Sequence, residues 1–151
     1  MYPHIEPVSP LSEVLPLLKD CGLPVSDLAP DSPPLFFGVR SGDGLVAVVG
    51  LEIFGAVGLL RSLAVAPGHR GRGLGRALAA FVEDFAAGLG VERLFLLTTT
   101  AEAFFARLGY GPTPRESAPE AIRATAQFAT LCPASSAFMA KRVAPGGRQA
   151  V

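Results

Sequence analysis

Between Val57 and Leu89 the chain changes its hydrophobic period once, across a knot of glycine and arginine. The run "VGLLRSLAV" is rich in β-forming residues and "APGHRGRG" punctuates it. Leu74, Leu78, Phe81, Val82, Phe85 and Leu89 then recur at steps of four, three, one, three and four. Those steps are the stripe of an amphipathic helix, whereas the run before them fits an extended strand. Alanines fill the remaining helical positions, and Gly88 with Gly90 supplies the stop. A strand that passes directly into a helix restricts the chain to folds in which sheet and helix pack as adjoining layers.

The flanks narrow the choice. "LFFGVR" and "GLVAVVGLEIF" precede "VGLLRSLAV", joined by "SGDG" and "GA", which are short enough for hairpins, so an antiparallel meander is predicted. Beyond the helix, "RLFLLT" shows almost no polar alternation. It reads as a strand covered on both faces, and after a helical crossover it can lie parallel to a neighbour. The expected fold class is mixed α+β, a central, mostly antiparallel sheet flanked by helices. Weaker patterns complete it. Residues 4 to 8 suit a short strand, and Ser9 with Pro10 introduces a helix carrying Leu11, Val14, Leu15 and Leu18, although Pro16 favours a start at Ser12. "CGLPVSDLAPDSPP" is a loop with one helical turn at Val25 to Leu28. Thr99 and Glu102 stand at capping-box spacing before a two-turn helix that Gly109 ends. Residues 110 to 114 suit a strand, Pro119 to Thr125 a helix and Ala137 to Val143 a last strand, after which "APGGRQAV" frays.

With 151 residues, residues 1–151 are expected to form one domain able to bury a core without metal or disulfide support. Thirteen Lys and Arg balance thirteen Asp and Glu, which argues against nucleic acid as a partner. Cys21 and Cys132 lack partners at metal-ligand spacing and suit a reducing compartment. "MYPHIEPVSP" has no basic stretch followed by an apolar run, and the apolar stretch Leu45 to Leu63 is interrupted by Glu52 and Arg61. A soluble cytoplasmic protein with no membrane partner is expected.

Gly71, Gly73 and Gly75 lie where the strand becomes the helix, among Arg70, Arg72 and Arg76. The first amides of a helix have no intrahelical partners, and the aligned peptide dipoles add about half a positive charge there. Glycines let an oxyanion approach that backbone closely and allow positive φ, so a diphosphate fits. The plainer alternative is a glycine-rich turn with solvated arginines. Two nucleotide motifs fail. A dinucleotide fingerprint requires glycine at 76, which is Arg, and a P-loop counted from Gly68 meets Leu74 and Gly75 where Lys and Ser or Thr belong.

The hexapeptide Arg70-Gly71-Arg72-Gly73-Leu74-Gly75, directly after "LAVAP", resembles the signature loop of the GCN5-related N-acetyltransferase (GNAT) family. The meander, the long helix, "LFLLT" and "AFFARLGY" follow in that family's order over roughly residues 35 to 115. The resemblance implies acetyl-CoA as acetyl donor, its pyrophosphate held by Arg70, Gly71, Arg72, Gly73, Leu74, Gly75 and Arg76. It also implies that Leu63, Ala64 and Val65 offer main-chain groups to the pantetheine arm, one amide polarising the thioester carbonyl. The strands at Leu63 and Leu97 would splay into a V where donor and acceptor meet. Many members carry Asn-x-x-Ala-x-x-Phe-Tyr after the parallel strand. Here Thr98, Ala101, Phe104 and Phe105 match, so Thr98 and Phe105 take cofactor-side positions and the usual tyrosine acid is missing. "LLRSLAV", "LLTTTAEAFFARLGY" and "APEAIRATAQFATLCPASSAFM" are further similar to the arsinothricin N-acetyltransferase group found with arsenic-resistance functions, and to the acetyltransferase domain of N-acetylglutamate synthases. That implies an amine acceptor of the α-amino-acid type with a second acidic group (glutamate, arsinothricin or phosphinothricin), a role in resistance, a cover over the acceptor pocket from residues 128 to 136, and pairing as a homodimer.

The residues offer candidates of their own. Arg61 interrupts an apolar strand, where a guanidinium needs an anion: an acceptor carboxylate, or a protein carboxylate such as Glu52. Ser62 falls on the other face by strand alternation and joins the acceptor-side group with Arg61, Arg115 and Cys132. Arg115 could hold a second acid or be a solvated loop residue, and Cys132 could carry an acetyl group or be a buried thiol. Glu52, a carboxylate of the sort that burial makes more basic, is the first choice as general base, and Tyr110 stands in for the missing acid. Glu102 is explained by capping, and His4 and His69 have no evident role. If the chemistry has lapsed, as Phe105 would allow, the chain is instead an acetyl-CoA-binding sensor or interaction module.

Overall fold

The structure, a computed structural model, describes residues 4–28, 33–42, 44–131 and 136–143. Cys132, and with it much of the segment expected to cover the acceptor, lies outside the described residues. The elements run β1 (Glu6–Pro7), α1 (Leu11–Asp20), β2 (Leu35–Ser41), β3 (Gly44–Phe54), β4 (Val57–Val65), α2 (Leu74–Gly88), β5 (Arg93–Thr98), α3 (Glu102–Arg107), β6 (Gly111–Pro112), α4 (Glu120–Arg123) and β7 (Ala137–Arg142). The strands form one sheet in the order β1-β2-β3-β4-β5-β7-β6. β1 to β2, β2 to β3, β5 to β7 and β6 to β7 are antiparallel, and β4 to β5 is parallel. This is the expected mixed α+β architecture.

The described chain falls into two compact units, residues up to Glu52 together with Leu60–Val82, and Ile53–Leu59 together with the residues from Glu83 on. In the first, α1 buries Leu11, Val14, Leu17 and Leu18 against Val8, Phe36, Val48 and Ala64, and Leu23, Val25 and Leu28 of the following loop pack on the same cluster. Arg40 ties the ends of this layer together by ion pairs to Glu6 and Glu13. Gly50 is a glycine of necessity: a Cβ there would stand 2.9 Å from the Phe36 ring and 3.2 Å from Arg61 Cγ. In the second unit, Leu59, Phe95, Ala118, Ile122 and Phe138 form the core, with Phe95 and Phe138 stacked at 5.5 Å. The parallel ladder pairs Val57, Gly58 and Leu59 with Arg93, Leu94 and Phe95, and β4 runs on to Val65 and β5 to Thr98 beyond it.

Several local expectations are corrected. α1 starts at Leu11 and keeps Pro16 inside. Pro16 lies on the exposed face, where water can satisfy the carbonyl it leaves without a donor, while the buried leucines of the opposite face hold the helix. The capping box does not form: α3 begins one residue after Ala101, so Glu102 is the first helical residue and not the third. Thr98 Oγ1 instead accepts the Ala101 amide at 3.0 Å. The turn expected at Val25 to Leu28, by contrast, is present, closed by Leu28 N to Val25 O at 3.0 Å. α4 is short, with Pro119 as its N-cap residue. Leu89, last of the helical stripe, is 59% exposed because the helix has already ended at Gly88.

Candidate active site

From β4 the chain leaves through a 3-10 turn, Pro67–His69, into the glycine loop. Gly71 and Gly73 take φ of +81° and +80°, values that exclude comfortable side chains. A Cβ built on either meets nothing within 4 Å, so backbone conformation, and not crowding by the protein, calls for glycine here. Ala77 is the first residue of α2 to close a helical turn, onto Gly73 O at 3.0 Å. Among the described residues no backbone carbonyl accepts from the amides of Gly71 through Arg76. These are the donors a diphosphate would need. Arg70 Nε donates to Val65 O at 2.9 Å and its Nη2 lies 3.7 Å from Cys21 Sγ, so this arginine braces the loop against the end of β4. Arg72 and Arg76 are exposed, Gly75 is already helical, and Cys21 is a free thiol.

Four residues earlier than Val65, Arg61 has a side chain only 1% exposed and spends its donors within the protein. Nη1 donates to Asp27 Oδ2 at 2.5 Å and Glu52 Oε2 at 3.0 Å, Nη2 to Asp27 Oδ1 at 2.9 Å, and Nε to Ser62 Oγ at 3.0 Å. The pairing with Glu52 is the alternative foreseen for Arg61, and Asp27 adds a bidentate partner that sequence reasoning missed. Five guanidinium N–H groups exceed what one carboxylate can accept, which was the available signal that a second acid had to be found. Burial works against the Arg61 charge, but the bonds and charges of Asp27 and Glu52 raise its pKa further. Burial likewise pushes the Asp27 carboxyl up, and Arg61 more than offsets this, holding it below its usual value. Ser62 does not sit on the opposite face in the ordinary sense. Its φ of +57° breaks the alternation of β4, so that neighbouring side chains bond to each other.

The second unit holds the remaining candidates. Tyr110 is 3% exposed and donates its hydroxyl to Glu83 Oε2 at 3.0 Å, while Glu83 Oε1 accepts from Lys141 Nζ at 2.8 Å. Burial first, then the Glu83 charge and bond, push the phenol well above its ordinary value, so it holds its proton firmly. Phe105 is buried edge-on against Phe104 and Tyr110 and brings no donor. Arg115 is half-buried: its Nη2 donates to Ser136 O at 3.2 Å and its guanidinium lies over the Phe128 ring at 5.3 Å, so it is not the solvated loop residue of the plainer reading. Ser136, the last residue of the expected cover, has a buried hydroxyl with no hydrogen-bond partner among the described residues. Thr98 is half-buried at the end of β5.

A mixed sheet with one parallel pair, flanked by helices, is the fold of solved acetyltransferases. N-acetylglutamate synthase from Neisseria gonorrhoeae, complexed with coenzyme A and N-acetyl-glutamate, superposes with a TM-score of 0.75 at 23% identity, covering 93% of this chain and 35% of that one. Tetrahymena GCN5 gives 0.74 at 12% identity over 94% and 97%. The sequence matches the acetyltransferase (GNAT) family over residues 5–110, and the chain belongs to that family. Among curated relatives, the amino-acid acetyltransferase of Neisseria meningitidis serogroup A is 33% identical over 90 residues, which are 58% of this chain and 21% of that protein. The amino-acid acetyltransferase of Pseudomonas aeruginosa strain PAO1 is 41% identical over 64 residues, 42% of this chain and 15% of the relative. The matches thus span 15% to 21% of these relatives' length.

Proposed function

We propose that the chain transfers acetyl from acetyl-CoA to the α-amine of a small amino acid carrying a second acidic group, glutamate-like and including arsinothricin and phosphinothricin types, in a resistance role. The observation that carries the donor half is the glycine loop, whose unpaired amides and positive-φ glycines suit the pyrophosphate of coenzyme A. The similarity to amino-acid acetyltransferases supports the acceptor half. Arg70 to Arg76 hold the donor, Leu63 to Val65 orient its pantetheine arm, and Thr98 and Phe105 line the donor side. The amine, having lost its proton, attacks the thioester carbonyl; the C–N bond forms, the C–S bond breaks, and coenzyme A leaves as thiolate. Holding amine and thioester at contact distance supplies much of the rate, and an amide of β4 aimed at the developing oxyanion adds to it. Glu52, directly or through water, takes the ammonium proton. Tyr110, bound to Glu83, is a poor acid, and the thiolate takes its proton from solvent. Arg61 and Arg115 are the anion-binding residues on the acceptor side.

The test is thiol release from acetyl-CoA with L-glutamate, L-aspartate, phosphinothricin and arsinothricin, and with glycine and L-lysine as controls. Release with acidic acceptors above the controls is expected. Binding of coenzyme A without release across the panel leaves the lapsed sensor, the reading that Phe105 favours.

A further inference from the structure

Arg61 is gripped in two different ways. Glu52 offers one oxygen from near the end of β3, and Ser62 one from β4 itself, so both are fixed by the sheet. Asp27 meets the guanidinium end-on with both oxygens, at 2.5 and 2.9 Å, which is the fork-to-fork geometry a free carboxylate or phosphinate adopts. It arrives from residues 21–28, where no helix or strand forms: Gly22 and Leu23 bond back to Lys19 and Leu18 at the end of α1, and Leu28 closes a second turn onto Val25. Two carboxylates on one guanidinium leave the cluster with an excess negative charge, so a third acid is repelled unless one withdraws. Exposure does not choose between them, since the Glu52 side chain is 23% exposed and that of Asp27 15%; anchorage does, because Glu52 stands in a strand paired on both sides while Asp27 stands on a loop, and Arg61 itself is only 1% exposed. Exchanging one carboxylate for another also keeps the buried cation paired throughout, avoiding the large cost of stripping it.

Resting on the acidic-acceptor reading above, we infer that Asp27 is an internal stand-in for the acceptor's acid group, holding the Arg61 fork until an acidic amino acid takes its place and thereby setting the selectivity for acidic acceptors. The Asp27 side chain turns off the fork as the acceptor seats, its loop staying on the core through Leu23, Val25 and Leu28, and neutral amino acids, lacking a group to displace it, are turned away.

The test begins with the melting temperature of the full chain in sodium acetate against sodium chloride of equal ionic strength. Asp27→Ala leaves the fork unpaired, and acetate, a bare carboxylate, fills it. Its Tm therefore rises with acetate, while that of the wild type and of the Asp27→Ala/Arg61→Gln double variant does not. Equal responses in wild type and Asp27→Ala overturn the inference. Asp27→Asn keeps the side-chain volume, replaces Asp27→Ala in the titration if the latter does not fold, and gives a second readout. If closed and open forms stand at about ten to one, its calorimetric Kd for L-phosphinothricin falls about tenfold below wild type. A Kd unchanged or raised overturns the inference and makes Asp27 a brace that positions Arg61. The acidic-acceptor reading fails separately, by absence of thiol release across the panel in wild type and both variants; the acetate response then decides the role of Asp27 alone.

Discussion

Ser62 is a serine held in backbone territory that glycine occupies freely, at φ +57° in the middle of a strand. A left-handed non-glycine residue costs on the order of 1–3 kcal/mol, which the buried bond from Arg61 partly offsets. Ser62→Gly gives up that bond but relieves the backbone, so its stability stays within about 1 kcal/mol of wild type. Ser62→Val adds a β-branched side chain to the same φ and loses the bond, and a loss of about 2–3 kcal/mol in urea unfolding is expected. Tyr110 makes a prediction about pH. Its folded-state pKa lies above the ordinary value of 10.0. The unfolded chain releases the proton near that value and the folded chain keeps it, so above it the unfolded state binds fewer protons and stability falls as pH rises. The slope from this one group approaches about 1.4 kcal/mol per pH unit. Between about pH 9.5 and about pH 11, bracketing the ordinary tyrosine pKa, urea midpoints of Tyr110→Phe should fall less than those of wild type.

At the scale of the element, α2 is the one whose start matters. Its first turn opens after two glycines with positive φ, and none of the described residues fills the space their missing Cβ atoms leave. Gly73→Ala should therefore fold, at a cost of about 1 kcal/mol from the forced conformation, and show its main effect on the donor. Calorimetry with coenzyme A and with pantetheine, which lacks the diphosphate, separates the causes. Affinity for coenzyme A should drop several-fold while pantetheine binding stays near wild type. An equal loss for both would move the effect from the pyrophosphate to the general shape of the loop. The strand β4 and the helix α2 were both legible in the sequence, β4 from a run of β-forming residues bounded by turn residues and α2 from an apolar stripe that repeats over four turns. α3 and its cap were less so: capping-box spacing says which residues could cap, but the N-cap position falls to Ala101, three residues past the end of β5, and not to Thr99.

For the whole molecule, the β2-β3-β4 meander was legible from strand and connection lengths, and the apolar run of β5 after a helical crossover allowed a parallel neighbour; that this neighbour is β4 came with the family resemblance, and the place of β7 between β5 and β6 was not read from the chain. The acceptor side was harder. Arg61 announces itself as a charge in an apolar strand, but Asp27 lies thirty-four positions away in a loop whose proline and glycine content predicts only irregularity. Contacts between such segments are made by the fold, not by any repeat in the chain. Arg115 shows the same limit from the other direction: a loop position suggested solvent, and the Phe128 ring and the Ser136 carbonyl, brought in by residues further along, gave it a niche.

The lone left-handed residue of β4 also dictates where length change can be accommodated. A slide by one position turns the core-facing side chains of any buried strand outward, and in this one it would also force Leu63 or Arg61 into the left-handed conformation and draw the guanidinium stem away from the notch at Gly50. Insertions and deletions among descendants of this chain must therefore swell or shrink the hairpin tips at "SGDG" and "GA", leaving the strand itself fixed in phase.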